Sequence, residues 1–496
     1  MGFDFLDFGF PRSGTDWKSI NGKPSITVSA KGRSNGLSNK INDGADFGPD
    51  TTLNATSPNQ IGAPYTQTSG IQETINYVQS FWQQYPLGIN MSLFPEIYLL
   101  NGPYVINDNT TIYIYNGPNG PATNGLHIHG PSHSPATCTI VKKNSLPSPI
   151  ISFSIPRGSS PGGNNVITQM IFENFSVQYL GPASNATAGV TVVNLSVNET
   201  GGTQNVFRNL FISSANPINN IMLDVSGNED AVIDNVQTNN AGGNYNSSIT
   251  VASLKTHMPG GNVKIYNGIH SGVDIEAQVA LLSGLAIGTG AGAGIIWRPA
   301  IYGATLSLNS VGFNGPLTRL ITTQTPTSGT LVEGYILING CLLTKTPVSS
   351  GDYMLDFNVV GTFLDIKSST LFNNTPSDTL YLLNPSNINL IRFKGFNDLT
   401  DWPAVINNTT INVPTVSTPA VPASGTAQQN TYPYPVNVYL YGGTVTQITV
   451  TKNGTPYTVF SNSTGVALSG QLYKLGEDEN ITITYTGAPT WVWIHD

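Results

Sequence analysis

The 496-residue sequence predicts an all-β protein built mainly as a solenoid of stacked coils. Charged residues make up only 10% of the chain, against roughly 25% in ordinary soluble domains, and glycine with small polar residues takes their place. Short apolar runs separated by turn residues recur through most of the chain, beginning with the segment 95–114. An asparagine or small residue flanked by apolar residues also returns about every 28 residues, a period typical of solenoids.

This repeat predicts a ladder of turn residues along the solenoid. Coils stack through parallel hydrogen bonds about 4.8 Å apart, so equivalent side chains lie directly above one another. An inward-pointing asparagine can bond to its counterparts in both neighbouring coils, because its amide has donors and an acceptor. The alternative is that asparagine is simply abundant here. The step between Asn267 and Ser283 is short enough to suggest one misplaced anchor. The anchors are Asn174, Asn209, Asn235, Asn267, Ser283, Asn309, Asn339, Ser368 and Gly395.

One strong helix is predicted, within residues 66–85. Ile71 and Ile75 belong to an apolar stripe with helical spacing, and Thr68 or Ser69 can cap the first turn. No other segment of the sequence has a helical pattern of comparable strength.

Four segments carry a family resemblance: "INDGADFGPDTT", "TSGIQETINYV", "IYLLNGPYVI" and "GLHIHGPSHSPATCTIV". They resemble the entrance and first two coils of the pectate-lyase-like right-handed parallel β-helix superfamily, of the viral tailspike and fibre type. The resemblance covers roughly residues 41–400. It departs from the usual pattern before the helix, where a longer insert replaces an Asp-Asp-Thr run. The resemblance implies a right-handed parallel β-helix whose N-terminal helix plugs the first coil.

The chain divides into four parts by composition. Residues 1–60 form an irregular segment suited to attachment, and residues 61–411 form the parallel β-helix. Residues 412–428 are rich in Pro, Thr and Ser and indicate an extended linker. Residues 429–496 alternate with period two and contain an Asn-Gly hairpin signal, which predicts a small C-terminal β-sandwich.

Paired carboxylates are the candidate catalytic residues, since glycosidases use two carboxyls about 5–9.5 Å apart. Asp274 and Glu276 share one side of a predicted strand, and Asp230 and Asp234 form a second pair. The neighbours of Asp274 and Glu276 are apolar and take the inward positions. We therefore expect both carboxylates to face water, to stay ionised and to be poor proton donors. A third acidic set contains Asp352, Asp356 and Asp365.

Histidine and tryptophan supply the remaining candidate sites. His127, His129 and His133 are close in sequence, but no cysteine or acidic residue accompanies them locally, so we expect no metal and no cofactor. Trp491 and Trp493 point the same way on the last predicted strand. They form either part of the sandwich core or a glycan-binding platform on which sugars stack.

Asn-x-Ser/Thr sequences are frequent and permit a glycoprotein. The candidate glycosylation sites are Asn54, Asn90, Asn109, Asn185, Asn194, Asn198, Asn246, Asn373, Asn407, Asn453, Asn462 and Asn480.

The expected function is adhesion: a virion spike or fibre that binds host surface glycans or glycoproteins, as a homotrimer, with its N-terminal segment joined to other virion proteins. The expected location is the virion surface or another extracellular site, and catalysis is not expected. The start of the chain lacks a standard secretory signal, and no apolar run is long enough to span a membrane. No Lys/Arg cluster supports a nucleic-acid partner. Two alternatives stay open: a polysaccharide lyase or glycoside hydrolase that depolymerises its substrate, and a cellular surface-layer protein or adhesin.

Overall fold

The computed structural model describes most of residues 18–84, 96–410 and 417–495. Within these ranges it leaves out short segments, of which the longest are 31–44, 155–166 and 239–251.

The larger of two compact units is a parallel β-helix, which confirms the predicted fold class. This unit comprises Met1–Ile391 and Asn397–Thr409. Its described elements are β1 (Lys18–Ile20), β2 (Lys23–Val28), helix α1 (Ile71–Gln84), β3 (Glu96–Leu99), β4 (Tyr104–Val105), β5 (Ile112–Tyr115), β6 (His127–His129), β7 (Thr139–Lys142), β8 (Ile151–Ser154), β9 (Ile167–Thr168), β10 (Ile171–Tyr179), β11 (Val193–Asn194), β12 (Gly202–Thr203), β13 (Val206–Ser214), β14 (Leu223–Asp224), β15 (Asn228–Glu229), β16 (Ala231–Asp234), β17 (Gln237–Thr238), β18 (Leu254–Tyr266), β19 (Ile269–His270), β20 (Val273–Ser283), β21 (Ala286–Ile287), β22 (Ala293–Trp297), β23 (Ala304–Asn309), β24 (Gly312–Phe313), β25 (Arg319–Thr323), β26 (Gly334–Asn339), β27 (Leu342–Lys345), β28 (Tyr353–Phe357), β29 (Thr362–Lys367), β30 (Thr370–Asn373), β31 (Leu382–Leu383), β32 (Ile388–Lys394), β33 (Val405–Ile406) and β34 (Thr409–Thr410).

Each coil contributes strands to three faces. The first face stacks β3, β6, β10, β13, β16, β18, β20, β23, β26 and β29, using only one half of the longer strands. The second face begins with β4 and β7 and ends with β27 and β30. The third face begins with β5 and β8 and continues through β22, β25 and β28 to β31. All of these pairings are parallel, as expected for coils stacked in one direction.

The core of the β-helix is a set of aligned apolar columns. On the first face one residue from the centre of each strand points inward, and each of these residues is at most 5% exposed. Phe172 and Phe207 stack at 5.8 Å between ring centroids within this column. Since side chains alternate along a strand, the residues on either side of the column point away from the core. The column contains Ile97, Ile128, Phe172, Phe207, Ile233, Ile265, Leu282, Leu308, Ile338 and Ile366.

Helix α1 begins at Ile71, five residues later than the start of the predicted range. Thr68 caps it by accepting a hydrogen bond from the backbone N–H of Gln72. The Gln72 side chain bonds to both backbone groups of Tyr113 in β5, donating to its oxygen and accepting from its nitrogen. The helix thereby satisfies strand-edge groups of an early coil, in agreement with a capping role. Among the described residues, no helix has both the length and the apolar character needed to cross a membrane.

The solenoid begins earlier in the chain than the sequence indicated. Strand β2 pairs in parallel with β3, with Ser25 opposite Glu96 and Val28 opposite Leu99. Part of the segment 1–60, which the sequence predicted to be irregular, is therefore the first layer of the β-helix. Tyr104 of the next coil donates its hydroxyl to the Val28 carbonyl at 2.7 Å and connects the two layers.

The predicted asparagine ladder exists, but it lies on the outer surface. Asn209 donates to Asn174 and Asn235 donates to Asn209, each at 2.8 Å, and the second bond is exposed. The expectation of inward side chains was wrong, since Asn235 and Asn267 are exposed. The feature that the anchors share is a positive φ, from 50° to 65° for Asn174, Asn209, Asn235 and Asn267. Asparagine tolerates this left-handed conformation better than most residues, so the column is selected by backbone geometry.

Later coils place other residues at the same position. Gly284, Ser310, Gly340 and Ser368 have positive φ values, so three of the predicted anchors were one residue too early. The short coil before Gly284 is real, because β20 continues from the third face to the first without a break. Gly395 lies outside the described residues. An inward amide pair does occur at another corner, where buried Asn205 donates to buried Asn228 at 2.6 Å, and the sequence analysis did not identify it.

Replacing Asn235 tests the backbone explanation. Asn235→Ala is expected to lower the free energy of unfolding by about 1–2 kcal/mol, because alanine is strained in the left-handed region. Asn235→Gly should cost clearly less, because glycine adopts this conformation freely and only the exposed amide bonds are lost. Denaturant unfolding followed by circular dichroism gives both values. Equal costs for the two variants would indicate that the side-chain ladder, and not φ, selects the residue.

The second unit comprises Arg392–Phe396 and Thr410–Asp496 and holds a five-stranded antiparallel sheet. Glycine-rich Gly442–Gly443 interrupts the regular register of its longest hairpin. Twelve apolar residues, among them Leu440, Ile448 and Trp491, form its core. Its strands are β35 (Ala427–Gln429), β36 (Val436–Lys452), β37 (Thr455–Leu475), β38 (Asn480–Gly487) and β39 (Thr490–His495).

The segment predicted to be an extended linker is attached to this second unit from residue 417 onward. Trp491 donates its indole N–H to the Pro419 carbonyl at 2.7 Å, and the Trp493 N–H bonds to the Thr418 hydroxyl at 3.0 Å. Tyr485 donates its hydroxyl to the Pro422 carbonyl. Proline lacks an N–H but keeps its carbonyl, which makes such a segment a suitable acceptor for these side chains.

Candidate functional site

The outward side of the first face of the β-helix carries rows of histidine and charged side chains. Its parallel register aligns outward residues from successive coils into columns. One column contains Tyr98, His129, Glu173, Arg208 and Asp234. A neighbouring column places His127 beside Ile171 and, by the same register, beside Glu96. Residues that are 26 to 138 positions apart in sequence thus lie on one surface.

We refer to Glu96, His127, His129 and Glu173 as the histidine–glutamate cluster. His127 lies between the two acids: its Nδ1 is 3.1 Å from Glu96 Oε1, and its Nε2 is 3.0 Å from Glu173 Oε1. His129 Nε2 is 3.2 Å from the other oxygen of Glu96. The two imidazole rings lie 4.7 Å apart. The side chains are 9–18% exposed, so the cluster is mostly buried but reachable from solvent.

The charges in this cluster stabilise one another. Burial would lower the pKa of His127, but its contacts with Glu173 and Glu96 outweigh burial and raise it. The hydrogen bond from His127 lowers the pKa of Glu173 against the opposing effect of burial, with smaller contributions from Arg208 and His129. The cluster therefore favours an imidazolium paired with carboxylates over neutral groups. The lowered pKa of Glu173 keeps it a carboxylate, so it is not a carboxylic acid ready to donate a proton at neutral pH.

A second feature of the first face is an aromatic strip, formed by Val279, Thr305, Tyr335 and Phe363 in four successive coils. The rings of Tyr335 and Phe363 are stacked, with centroids 4.8 Å apart and planes inclined by 17°. Both rings are half-buried, and Val279 is exposed. Because the two stacked rings come from adjacent coils, they form a continuous apolar surface larger than a single ring.

Polar side chains lie beside the aromatic strip. The parallel columns next to it contain Leu337 with Ser307 and Asp365, and Asn309 with Asn339 and Lys367. Asn339 donates its amide to Asn309 at 3.2 Å, so the amides are held in a row. The aromatic strip and the columns beside it together present apolar rings and hydroxyl, amide and charged groups. The sequence analysis had placed Asn309 and Asn339 in the predicted ladder and Asp365 in an acidic set. It had given no role to Tyr335 and Phe363, because nothing local distinguishes them from other strand positions.

The predicted catalytic pair Asp274 and Glu276 lies on the third face and is buried. The expectation that both carboxylates face water was wrong, since they are only 5% and 0% exposed. The prediction that the apolar neighbours of these two residues point inward was correct, since Val273 and Ile275 are buried in the core. The outward side, however, is covered by chain around Thr327, whose N–H and hydroxyl both bond to Glu276. A single sequence gives no signal for such a cover.

Asp274 and Glu276 belong to a buried charge network with His257 and Arg298. Arg298 donates two hydrogen bonds to the Asp274 carboxylate, at 2.7 and 3.1 Å, and a third to the Thr325 carbonyl. His257 Nε2 is 2.9 Å from Asp274, and its Nδ1 is 3.8 Å from Glu276. Burial would raise the pKa of Asp274, but His257 and Arg298 together lower it. Asp274 is thus held ionised and is a poor general acid.

The other predicted carboxylates do not form catalytic pairs in the described structure. Asp230 directly precedes β16 with a positive φ, and Asp234 is the last residue of that strand. Asp230 accepts a bond from Asn262, while Asp234 accepts one from Asn267. In the third set, Asp356 is buried against Arg319, Asp365 lies on the outward side of the first face, and Asp352 lies outside the described residues.

Trp491 and Trp493 do not form an open platform. They are 3% and 2% exposed, meet edge to face at 5.4 Å and belong to the core of the second unit. The interpretation of these two residues as a glycan-binding surface was therefore wrong, and the core alternative is correct. Two tryptophans on the same side of a strand suit a core and a glycan-binding platform equally well. The sequence therefore could not decide between these two roles.

The candidate glycosylation sites differ in accessibility. Among described residues, Asn54, Asn109, Asn185 and Asn453 are exposed, whereas Asn194, Asn462 and Asn480 are half-buried. Whether any is modified stays a prediction. The side chains of Asn90, Asn198, Asn246, Asn373 and Asn407 lie outside the described part of the chain.

The sequence analysis found the histidines of the cluster but missed its acids. His127 and His129 were judged to lack an acidic neighbour, because Glu96 is 31 residues before His127 and Glu173 is 46 residues after it. Parallel stacking removes this separation, since Glu173 pairs in register with His129. Aligning the strand patterns coil by coil would have revealed the acids. His133, the third predicted member, lies outside the described residues.

Comparisons with known proteins give only a weak structural match. No family model and no curated protein matches the sequence. Among solved structures, the A-module of mannuronan C-5 epimerase from Azotobacter vinelandii is similar, with 10% sequence identity, 67% of this chain and 94% of that chain covered, and a TM-score of 0.27. Likeness at this level says nothing about activity. The architecture established by the strand register is that of a parallel β-helix.

Proposed function

We propose that this protein binds an extended polysaccharide or glycoprotein glycan along the outward side of the first face. The observation that carries the proposal is the aromatic strip, with Tyr335 and Phe363 stacked at 4.8 Å and bordered by rows of amide, hydroxyl and charged side chains. Sugars present apolar C–H faces and many hydroxyls, so they suit a surface that offers rings and hydrogen-bonding groups together. An elongated flat face built from successive coils matches an elongated chain of sugars.

The finer role that we propose is adhesive: a spike or fibre at a virion surface, acting as a homotrimer that attaches to host glycans. The low charge and the surface of small polar residues support this role, as does the resemblance of the first coils to tailspike proteins. Detection of the chain on purified virus particles by surface labelling would support the virion location. Its recovery from a cell wall instead would favour a cellular adhesin.

Removing the two stacked rings tests the binding site. In a panel of host polysaccharides, the double variant Tyr335→Ala/Phe363→Ala is expected to bind its best ligand about 10- to 100-fold more weakly than the wild type, if each ring contributes as a typical hot spot. Binding is measured by calorimetry or by retention on an immobilised polysaccharide. Circular dichroism verifies that the variant remains folded.

The matched control is Tyr439→Ala/Tyr441→Ala, which removes two exposed rings from the second unit. This control should bind as the wild type does. Loss of binding in the control alone would move the site to the second unit and contradict the proposal. The same incubations are assayed for new reducing ends and unsaturated products, since cleavage would favour the depolymerase alternative.

A further inference from the structure

The histidine–glutamate cluster has the composition of a metal site. It brings two imidazoles and two carboxylates together from the three neighbouring strands β3, β6 and β10. Donor atoms of His127, His129 and Glu173 all lie within 4.8 Å of one another. Ligand atoms around a tetrahedral zinc ion with bonds near 2.0–2.1 Å are about 3.3 Å apart. Small side-chain rotations therefore separate the observed arrangement from a coordinating one.

The fourth member, Glu96, contacts both rings. His127 turns Nε2 towards Glu173 and Nδ1 towards Glu96, so the two carboxylates lie against opposite edges of its ring. The second oxygen of Glu96 lies 3.2 Å from His129 Nε2. Histidine ligands of metals generally direct their other nitrogen to a carboxylate, which orients the ring and fixes its tautomer. Glu96 is placed to perform this function for both histidines.

Two buried ring nitrogens also lack well-aligned partners. His127 Nδ1 and His129 Nε2 are shielded from solvent and make no hydrogen bond of acceptable geometry, although each is close to a Glu96 oxygen. Buried polar atoms are normally satisfied, so a misaligned pair needs an explanation. An ion held on the opposite ring edges would reorient both rings and align these nitrogens with Glu96.

We propose that the histidine–glutamate cluster binds one divalent transition-metal ion of the zinc type. His127, His129 and Glu173 are the ligands, and Glu96 orients the two histidines. Imidazole nitrogens favour zinc and related ions, whereas calcium and magnesium prefer sites made of oxygen alone. Three protein ligands leave one coordination position for water or another oxygen ligand. Arg208, 3.7 Å from Glu173 and 47% exposed, has room to withdraw when the ion enters.

Zinc titration of the chelator-treated full-length protein tests this assignment. Calorimetry with zinc chloride should show one saturable ion per chain, and cobalt(II) as a probe should give the visible absorption of a four-coordinate site. His129→Gln and Glu173→Gln should each lose at least tenfold in zinc affinity. Glu96→Gln should weaken binding by about 10- to 100-fold, as expected for a residue that orients the ligands.

The matched control is Asp234→Asn, which removes a carboxylate from the same column without touching the cluster. This variant should bind zinc as the wild type does. Absence of saturable binding by the wild type overturns the proposal, as does equal binding by the wild type and both ligand variants. If the ligand variants do not fold, X-ray absorption of zinc-loaded wild type decides the question, because the proposal requires two imidazole ligands in the first coordination sphere.

Discussion

Replacing Arg298 by methionine is expected to lower the free energy of unfolding by about 3–5 kcal/mol, the range for breaking a buried ion pair. The reason is the environment of Asp274, which is 5% exposed and would lose both guanidinium hydrogen bonds while remaining ionised. The carbonyl of Thr325 would lose its donor at the same time. The measurement is denaturant unfolding at neutral pH, followed by circular dichroism.

Arg208 provides the matched control. It also lies between acids, but it is 47% exposed and its nearest carboxylate contacts are 3.7 Å long. Arg208→Met should therefore cost less than about 1 kcal/mol, as exposed pairs usually do. A double variant, Arg298→Met with Asp274→Asn, should be more stable than Arg298→Met alone, because the stranded charge is removed. Equal costs for the Arg298 and Arg208 substitutions would show that the buried network does not support the fold.

The sequence predicted the architecture well because the β-helix repeats one physical pattern many times. An apolar residue between two outward residues, followed by a turn residue, appears at Ile233 before Asn235 and again at Ile265 before Asn267. Errors in single anchors, such as Ser283 for Gly284, do not disturb such a repeat. The direction of the asparagine side chains was not predictable in the same way, since positive φ and an inward amide both favour asparagine.

The candidate site was much less predictable than the fold. Its parts are contributed by different coils, so the relevant spacing is the coil length, and this length varies along the chain. Glu173 contacts His127 although 46 positions separate them in the sequence, and Tyr335 contacts Phe363 at a separation of 28 positions. Burial by loops was the second obstacle: Asp274 and Glu276 occupy outward positions, yet the chain around Thr327 covers them. Local alternation identifies the side of a strand but not what packs over it.

His270 is expected to make the protein less stable as the pH falls below about 6.5. It is fully buried beside the Thr238 hydroxyl, at 2.8 Å from its Nδ1, and burial lowers its pKa from 6.5 to about 3. The unfolded chain takes up a proton at this residue as pH falls through 6.5, whereas the folded chain does not. This difference in proton uptake lowers the free energy of unfolding by up to about 1.4 kcal/mol for each pH unit below 6.5, until the pH reaches the pKa of His270 in the folded protein.

Substitution isolates this contribution from the other titrating groups. Relative to His270→Gln, the free energy of unfolding of the wild type should fall by about 2 kcal/mol as the pH is lowered from 7 to 5. The reason is that only the wild type has a histidine here, and its protonation stabilises the unfolded chain. His127→Gln is the contrasting variant, to be measured in metal-free buffer. Since the acids around His127 raise its pKa, its contribution is present below pH 6.5 and is lost as pH rises through the folded value. The wild-type advantage over His127→Gln should therefore grow as the pH falls. A His270→Gln difference that is constant between pH 7 and pH 5 would show that His270 becomes protonated within the folded core.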